Sequence, residues 1–387
     1  MSASESVTFG KAAFRIGQFE SLDPTYSAPQ EKLLERLAQL HACALEPSPL
    51  KQGDITEQLR RRIERFGCDS SRIGTRYFEE AGFLPPSSES QTDGYDSKTG
   101  WTQRMDRYRS ATQRVFESWY PEANRERAPG DVIHVSCTGY LAPSAAQNRI
   151  AELGLGDTTR VTHAYHMGCY AALPALRLAE GLLRAGSKKV DVAHTELCTL
   201  HLQVGRTEPE QLVIQSLFGD GHIRWTASLD GTSELEQSPH FEVLGHSERL
   251  LPESGHAMSW NAGETGWQMT LARDVPDRIR DALPRFVSEL LQPHQLALQD
   301  CIGAVHPGGP KIIEEVAKAL ELSPQQIRHS HKILFERGNL SSATLPHIWE
   351  SILSDPSVPL NTPILSLAFG PGLTLCGSIM VKRVPRP

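Results

Sequence analysis

Apolar positions recur at helical spacing in two early stretches, residues 29–42 (PQEKLLERLAQLHA) and 54–67 (DITEQLRRRIERFG), each with a charged opposite face. Both predict amphipathic helices. The polar, turn-rich run from Pro85 to Gly100 predicts a surface loop, and a helix rich in Arg and aromatic residues is expected over 101–120. From Asp131 the element types alternate. A strand DVIHVSCT is followed by a helix around 144–153, a strand at 158–165, a helix over 171–185 and the strand KKVDVAHTEL. This order is βαβαβ, which implies parallel strands covered by helices.

After a second polar stretch near 228–240 the rhythm returns. Helix 276–291 leads to strand DCIGAVH, the glycine turn PGGP, helix 311–320, the segment HKILFERGN and helix 341–354. The closing PILSLAFGPGLTLCGSIMVKRV holds two apolar runs around Gly-Pro-Gly, the pattern of a hairpin. Two βαβ-rich halves of similar style, residues 1–240 and 241–387, predict a duplicated, layered α/β architecture.

Composition narrows the function. A formal net charge of −7 argues against a broadly basic nucleic-acid surface. Apolar runs never reach the ~18 residues of a membrane span. The opening MSASESVTFGKAAF has neither the basic flank nor the apolar block of a secretory signal. Seven cysteines are scattered without a CxxC pair, which fits a reducing, cytoplasmic setting. The run HTELCTLH offers His194, Cys198 and His201 as metal ligands. Read as a strand, however, it faces His201 away from the other two, with no fourth ligand evident, so no metal is expected.

Cys169, in HMGCYAALPALRLAEGLLRAG, falls between a β-branched run and a helix marked by Leu176, Ala179 and Leu183. A buried thiol packed as a small hydrophobe is the competing reading. A sharp strand-to-helix turn near the positive end of a helix dipole is also where a nucleophilic thiol is exposed and its pKa lowered. Pro174 is tolerated in the first helical turn. Among 15 histidines, His306 stands out because it ends an apolar strand and precedes Pro-Gly-Gly, at the strand edge where sites of α/β sheets gather. Asn339, in ERGNLSSATL, precedes a helix and could serve as its N-cap. Together the three suit acyl-thioester chemistry: a thiolate attacks, an imidazole stabilises it, and His with Asn donates to an oxyanion.

These residues lie in five ordered segments, GCYAALPALRLAEGL, LFGDG, AVHPGGPKIIEEV, ERGNLSSAT and AFGPGL. In them the chain resembles chalcone-synthase-like type III polyketide synthases of the thiolase superfamily, over about residues 12–385. The resemblance implies a five-layered αβαβα thiolase-like fold, a homodimer and no prosthetic group, with substrates carried as phosphopantetheine or CoA thioesters. It makes Cys169 the acyl-accepting nucleophile, and gives His306 and Asn339 the thioester carbonyl and the enolate. Phe218 and Met269 match gatekeeper positions, for which core packing is the alternative role, and Gly370, Pro371 and Gly372 match the family's GPG loop.

Departures from the family pattern carry their own implications. Cys137, Cys198 and His201 stand at cavity positions that hold Thr in chalcone synthases. Ala142 replaces the methionine that crosses the dimer, and Ala368 begins the GPG loop. Ile63, Phe66 and Ser70 fall where basic residues grip coenzyme A, while Arg61, Arg62, Arg65 and Arg72 lie nearby off register. These arginines read either as a solvated helix face or as a docking patch for an acyl carrier protein. The departures are similar to those of bacterial ketosynthases that join two carrier-bound β-ketoacyl chains into an α-pyrone, as in myxobacterial pyrone antibiotics. Iterative extension of a fatty acyl starter with malonyl-CoA, to alkylpyrones or alkylresorcinols, is the alternative. Acyl transfer to an alcohol or amine is a third, from another class. Glu196 is a secondary candidate base, or a structural hydrogen-bond acceptor.

Overall fold

The computed structural model describes residues 12–46, 49–84, 99–229, 234–264 and 266–384. The first half runs β1 (Phe14–Leu22), β2 (Tyr26–Pro29), α1 (Gln30–Leu45), α2 (Pro49–Phe66), β3 (Thr75–Phe78), α3 (Trp101–Trp119), β4 (Asp131–Ser136), α4 (Ala145–Glu152), β5 (Arg160–Tyr165), α5 (Ala172–Arg184), β6 (Val190–Leu197), α6 (Pro209–Leu217) and β7 (Asp220–Leu229). The second runs β8 (His240–Leu250), β9 (Met258–Ala262), β10 (Trp267–Leu271), α7 (Val275–Leu291), β11 (Ile302–Val305), α8 (Pro310–Ala319), α9 (Arg328–Arg337), α10 (Thr344–Ser354), β12 (Pro363–Gly370) and β13 (Thr374–Arg383). Most of the loop expected over Pro85–Gly100 lies outside the described residues, as do positions 230–233 of the second polar stretch.

Nine strands form one sheet in the order β11-β12-β13-β8-β1-β7-β6-β4-β5. Strands β4, β5 and β6 are parallel, as the βαβαβ pattern requires, and β12 and β13 pair antiparallel as the expected hairpin. Strand β1 joins the two halves, pairing with β7 on one side and, over Phe14–Gly17 only, with β8 on the other. The segment HKILFERGN folds mostly into α9. The strand in HTELCTLH stops at Leu197, and Cys198–His201 form a tight 3₁₀ turn. Read as continuous strand, that run put Cys198 and His201 on opposite faces; the turn abolishes the alternation, and both side chains reach one cavity.

Strands β4, β6, β11, β12 and β13 are buried on both faces, whereas β1, β5 and β8 carry exposed positions. In β12, Ile364 and Ala368 enter a central core, while Leu365, Leu367 and Phe369 enter a second core on the opposite face. In β13, Cys376 and Met380 face inward against Leu375 and Ile379 outward. Helices α5 and α10 fill the central layer, and α5 touches β4, β6 and β7 of one half and β13 of the other. Helices α3 and α4 cover one outer face and α7 and α8 the other. Five layers αβαβα result.

Trp349 of α10 marks the middle of this stack. It is fully buried, its indole N–H donates to Ser366 Oγ at 2.9 Å, and its ring meets Trp225 edge-on at 6.0 Å. Trp349→Ala is expected to lower the unfolding free energy by about 3–5 kcal/mol in a urea titration, through cavity formation and an orphaned Ser366 hydroxyl.

Candidate active site

The carboxyl ends of the parallel strands deliver the chemistry. Cys137 follows β4, Cys169 follows β5, Cys198 follows β6 and His306 follows β11. The turn carrying Cys169 is bent by His166 at φ 62° and Gly168 at φ 83°. A Cβ on Gly168 would lie 2.8 Å from the Pro371 ring, and one on Gly370 would lie 2.0 Å from the Tyr170 ring. The Gly-Pro-Gly loop therefore clamps the turn on both sides of Cys169, and only glycine permits the contact.

Two cavities meet at Cys169. An outer one of about 710 Å³ is lined by Cys169, His306, Asn339 and an apolar wall that includes Leu271, Ile279, Ile312 and Phe369. An inner one of about 60 Å³ is lined by Cys137, Cys169, Cys198, His201, Trp260, Trp267 and Pro371. Phe218, Met258 and Met269 line both, and so form the constriction between them.

Asn339 is not a helix N-cap. Its Oδ1 accepts from the Ser341 backbone N–H at 2.8 Å and the Thr344 hydroxyl at 3.3 Å, which fixes the amide and leaves Nδ2 without a partner among the described residues. The backbone of Asn339 donates to Leu217 O at 3.0 Å and accepts from Gly219 N–H at 2.9 Å, so Phe218 and Asn339 are held as a unit. Both ring nitrogens of His306 are likewise unpartnered and buried. Burial pushes the His306 imidazole down to about 3. Cys169 is only partly open to the cavities, and burial pushes its thiol up to about 12. Burial thus works against the lowered thiol pKa expected from the turn's position, because it disfavours the charged form.

Glu196 is fully buried and accepts from Thr138 Oγ1 at 2.9 Å, Cys137 N–H at 3.1 Å, the Cys137 thiol at 3.3 Å and the Ser342 hydroxyl. Its oxygens are taken up by these donors. His201 donates from Nε2 to Thr138 O at 2.7 Å and stays neutral, pushed down to about 3 by burial. Among the described residues no cluster of metal-capable side chains occurs. Ala142 is exposed and lines neither cavity, and Gly372 supports the loop from behind, its carbonyl accepting from Ser254 Oγ at 2.8 Å. The four arginines line neither cavity. Arg61 pairs with Glu57, Arg62 donates to Thr207 O at 2.8 Å, Arg65 lies over the Phe66 ring, and Arg72 pairs with Glu314 of α8 at 2.5 Å. The outer rim itself carries Arg273 and Lys311 beside Glu208 and Glu210.

The N-terminal domain model of chalcone and stilbene synthases matches residues 50–227, and the C-terminal domain model matches residues 242–385. The chain belongs to the chalcone and stilbene synthase family of type III polyketide synthases. Type III polyketide synthase C of Arabidopsis thaliana is 30% identical over 265 residues, 66% of this chain and 68% of its own length. A probable polyketide synthase 1 of Dictyostelium discoideum is also 30% identical over 265 residues, and there the match spans 8% of a far longer protein. Type III polyketide synthase 21 of Oryza sativa is 28% identical over 92% of this chain and 90% of its own. In fold, the chain superposes on PKS-I of the brown alga Ectocarpus siliculosus with a TM-score of 0.79, at 21% identity, covering 96% of this chain and 98% of that one. On 1,3,6,8-tetrahydroxynaphthalene synthase of Streptomyces coelicolor the TM-score is 0.77, at 23% identity, covering 96% and 100%.

Several residues that shape this family member's site carry no motif of their own. Met258 and Trp260 belong to the β9–β10 hairpin, which the sequence reading passed over. Arg76 is fully buried and donates to the carbonyls of Gln215 and Phe218, both at 2.9 Å, anchoring the gate from behind. A lone Arg in GTRYF gives no such signal.

The buried imidazoles carry a pH dependence. His134, His194, His201 and His306 are all pushed down to about 3 by burial, from an ordinary value of 6.5. Below pH 6.5 the unfolded chain binds protons that the native protein refuses, so their contribution is whole above pH 6.5 and is lost as pH falls toward 3. Each such histidine removes about 2 kcal/mol between pH 7 and pH 5. His306→Gln should lose correspondingly less stability over that interval, as read from urea midpoints at the two pH values.

Proposed function

We propose that the protein is a ketosynthase that joins two carrier-bound β-ketoacyl chains into an α-pyrone, with Cys169, His306 and Asn339 as its catalytic residues. The observation carrying the reading is a single constriction where a thiol meets an imidazole and an amide whose N–H groups have no protein partner. Buried donors left open in this way suit an oxyanion that exists only during reaction.

The thiol and imidazole each resist ionising alone, and a thiolate–imidazolium pair offsets both penalties. The Cys169 thiolate attacks the thioester carbonyl of the first chain, and the departing carrier thiolate takes the imidazolium proton from His306. A second thioester enters by the outer cavity, and His306 removes its α-proton. The resulting enolate oxygen lies against the Asn339 amide. The enolate carbon attacks the acyl carbonyl on Cys169, forming the carbon–carbon bond and releasing the thiolate. An enol oxygen then closes on the remaining thioester carbonyl, and the second carrier thiol leaves with the enol proton.

Charge on the outer face supports a protein-borne donor. Helix α2, bearing Arg61, Arg62 and Arg65, packs on α6, whose leading residues Glu208–Glu210 form part of the rim, and Arg72 is tied to α8 beside Lys311. Exposed arginines at that distance suit steering of an acidic carrier more than contact with a ligand inside the tunnel. Lys311 and Arg273 on the rim itself favour a second reading, in which coenzyme A thioesters are used and a fatty acyl starter is extended with malonyl-CoA. The homodimer and the cytoplasmic setting belong to the same proposal. Among the described residues no helix is long and apolar enough to cross a membrane.

Intact-protein mass spectrometry after exposure to a β-ketoacyl thioester should show an adduct on the wild type and none on Cys169→Ala. An adduct persisting in Cys169→Ala would overturn the nucleophile. Asn339→Ala should retain self-acylation while condensation falls about 100- to 1,000-fold, because its amide donates mainly to the enolate. Equal losses in both half-reactions would give Asn339 a structural role only. Charge reversal at Arg65 and Arg72 should raise KM for carrier-bound chains, an effect that shrinks with added salt, and leave turnover of a pantetheine-mimic thioester unchanged.

A further inference from the structure

The parallel strands have a second edge, and it frames a cavity that the thioester chemistry does not use. Strands β4, β5 and β6 begin at Asp131, Arg160 and Val190, and the segments leading into them surround a cavity of about 650 Å³. Arg125 and Arg127 come from the first segment, Arg160 from the second, and Lys188 and Lys189 from the third. Among the lining residues, Glu126 and Asp157 are the carboxylates set against these five cations, in a chain whose formal net charge is −7.

Two of the arginines are held in place. Arg125 donates to Asp157 at 3.0 Å and to Gly154 O at 2.8 Å, and Arg160 grips Asp131 through two bonds of 2.9 and 2.6 Å. Lys189 Nζ donates to Arg127 O at 2.5 Å, which ties the third segment to the first and leaves the ammonium charge in place. Lys188 is exposed, with no side-chain partner among the described residues. One wall comes from β1, whose pairing with β7 slips between Gly17 and Glu20. Gln18 sits at that bulge with φ 50° and lines the cavity with Thr226 of β7. A non-glycine residue keeps that conformation only where its surroundings enforce it, and bulges re-aim side chains beside sites.

The lining selects a class of ligand. Among the described residues no aromatic side chain lines the cavity, and Ala128 and Leu235 are its apolar contributions. A nucleobase would find no ring to stack on, and an acyl chain no apolar wall. Three guanidinium forks and two ammonium groups match an ion whose charge is dense and shared among several oxygens, which is the chemistry of phosphate. Cations arriving from three separate segments suit two linked phosphoryl groups better than one. We propose that this cavity binds a compact anion of the diphosphate class, held by Arg125, Arg127, Arg160, Lys188 and Lys189. None of these residues lines either thioester cavity, so the site is distinct from them and stands independently of the condensation chemistry.

Isothermal titration calorimetry of the full chain with sodium diphosphate, without divalent metal, tests this. One saturable site per chain is expected, weakening as salt rises because its cations are exposed. Lys188→Glu should weaken binding about tenfold, since a contact to the anion becomes a repulsion. Arg125→Gln removes a cation from a different segment and should weaken it by a similar factor. Lys32→Glu on α1 makes the same change in net charge at an exposed position outside the cavity, and should leave the affinity unchanged. Circular dichroism shows whether each variant is folded. Absence of saturable heat, unchanged affinity in both cavity variants, or an equal loss in Lys32→Glu would overturn the proposal. Inorganic phosphate binding as tightly as diphosphate would overturn the ligand class. An acidic peptide that binds this edge where diphosphate does not would also overturn it, and would assign the surface to a protein partner.

Discussion

The same packing buries His306 and most of Cys169, and the desolvation drives each toward its neutral form. A thiol pushed up to about 12 beside an imidazole pushed down to about 3 is inert as two separate groups. The proposed chemistry therefore needs the two as a pair, with donors placed to hold the charge. Much of the site follows from this constraint. The Asn339 amide is fixed by Ser341 and Thr344, Phe218 is tied to Asn339 through a backbone bridge, and the Cys169 turn is clamped by Gly370 and Pro371. Low dielectric makes each misplaced donor costly and each well-placed one effective.

The layered fold is what brings these groups together. Parallel strands present their carboxyl ends on one edge, and the central helices α5 and α10 pack strands of both halves around one core, so a cysteine after β5 and a histidine after β11 open onto one cavity. Neither half contains the site alone. The inner cavity is narrowed by Trp260 and Trp267, stacked 6.0 Å apart, with the Trp260 indole donating to Cys137 O at 2.6 Å. The outer one is wide and apolar.

Periodicity located α1–α5, α7, α8 and α10 to within a few residues, because their apolar faces repeat at 3.6. It also identified the strands that are flanked by clear turn signals. Strands β1, β7 and β8 were passed over because they are long, mixed in polarity and paired with partners far away in sequence, which no local pattern reports. The HTELCTLH run misled because a strand that ends in a 3₁₀ turn keeps its composition and loses its alternation. Cys169, His306 and Asn339 were singled out from their turns and motifs, and the fold brings all three to one cavity. Their protonation was not legible, since desolvation depends on what the fold stacks around them. Met258 and Arg76 were invisible for the same reason: each acts through neighbours supplied by other elements.

The most direct test of the central claim is a condensation with two distinguishable donors and no malonyl-CoA. Wild-type protein would be supplied with one β-ketoacyl carrier uniformly labelled with carbon-13 and a second, unlabelled one of different chain length. The account predicts pyrones whose masses contain one whole labelled chain and one whole unlabelled chain. Absence of any such mixed product, together with pyrones that form only when labelled malonyl-CoA is added and carry its carbons, would contradict it.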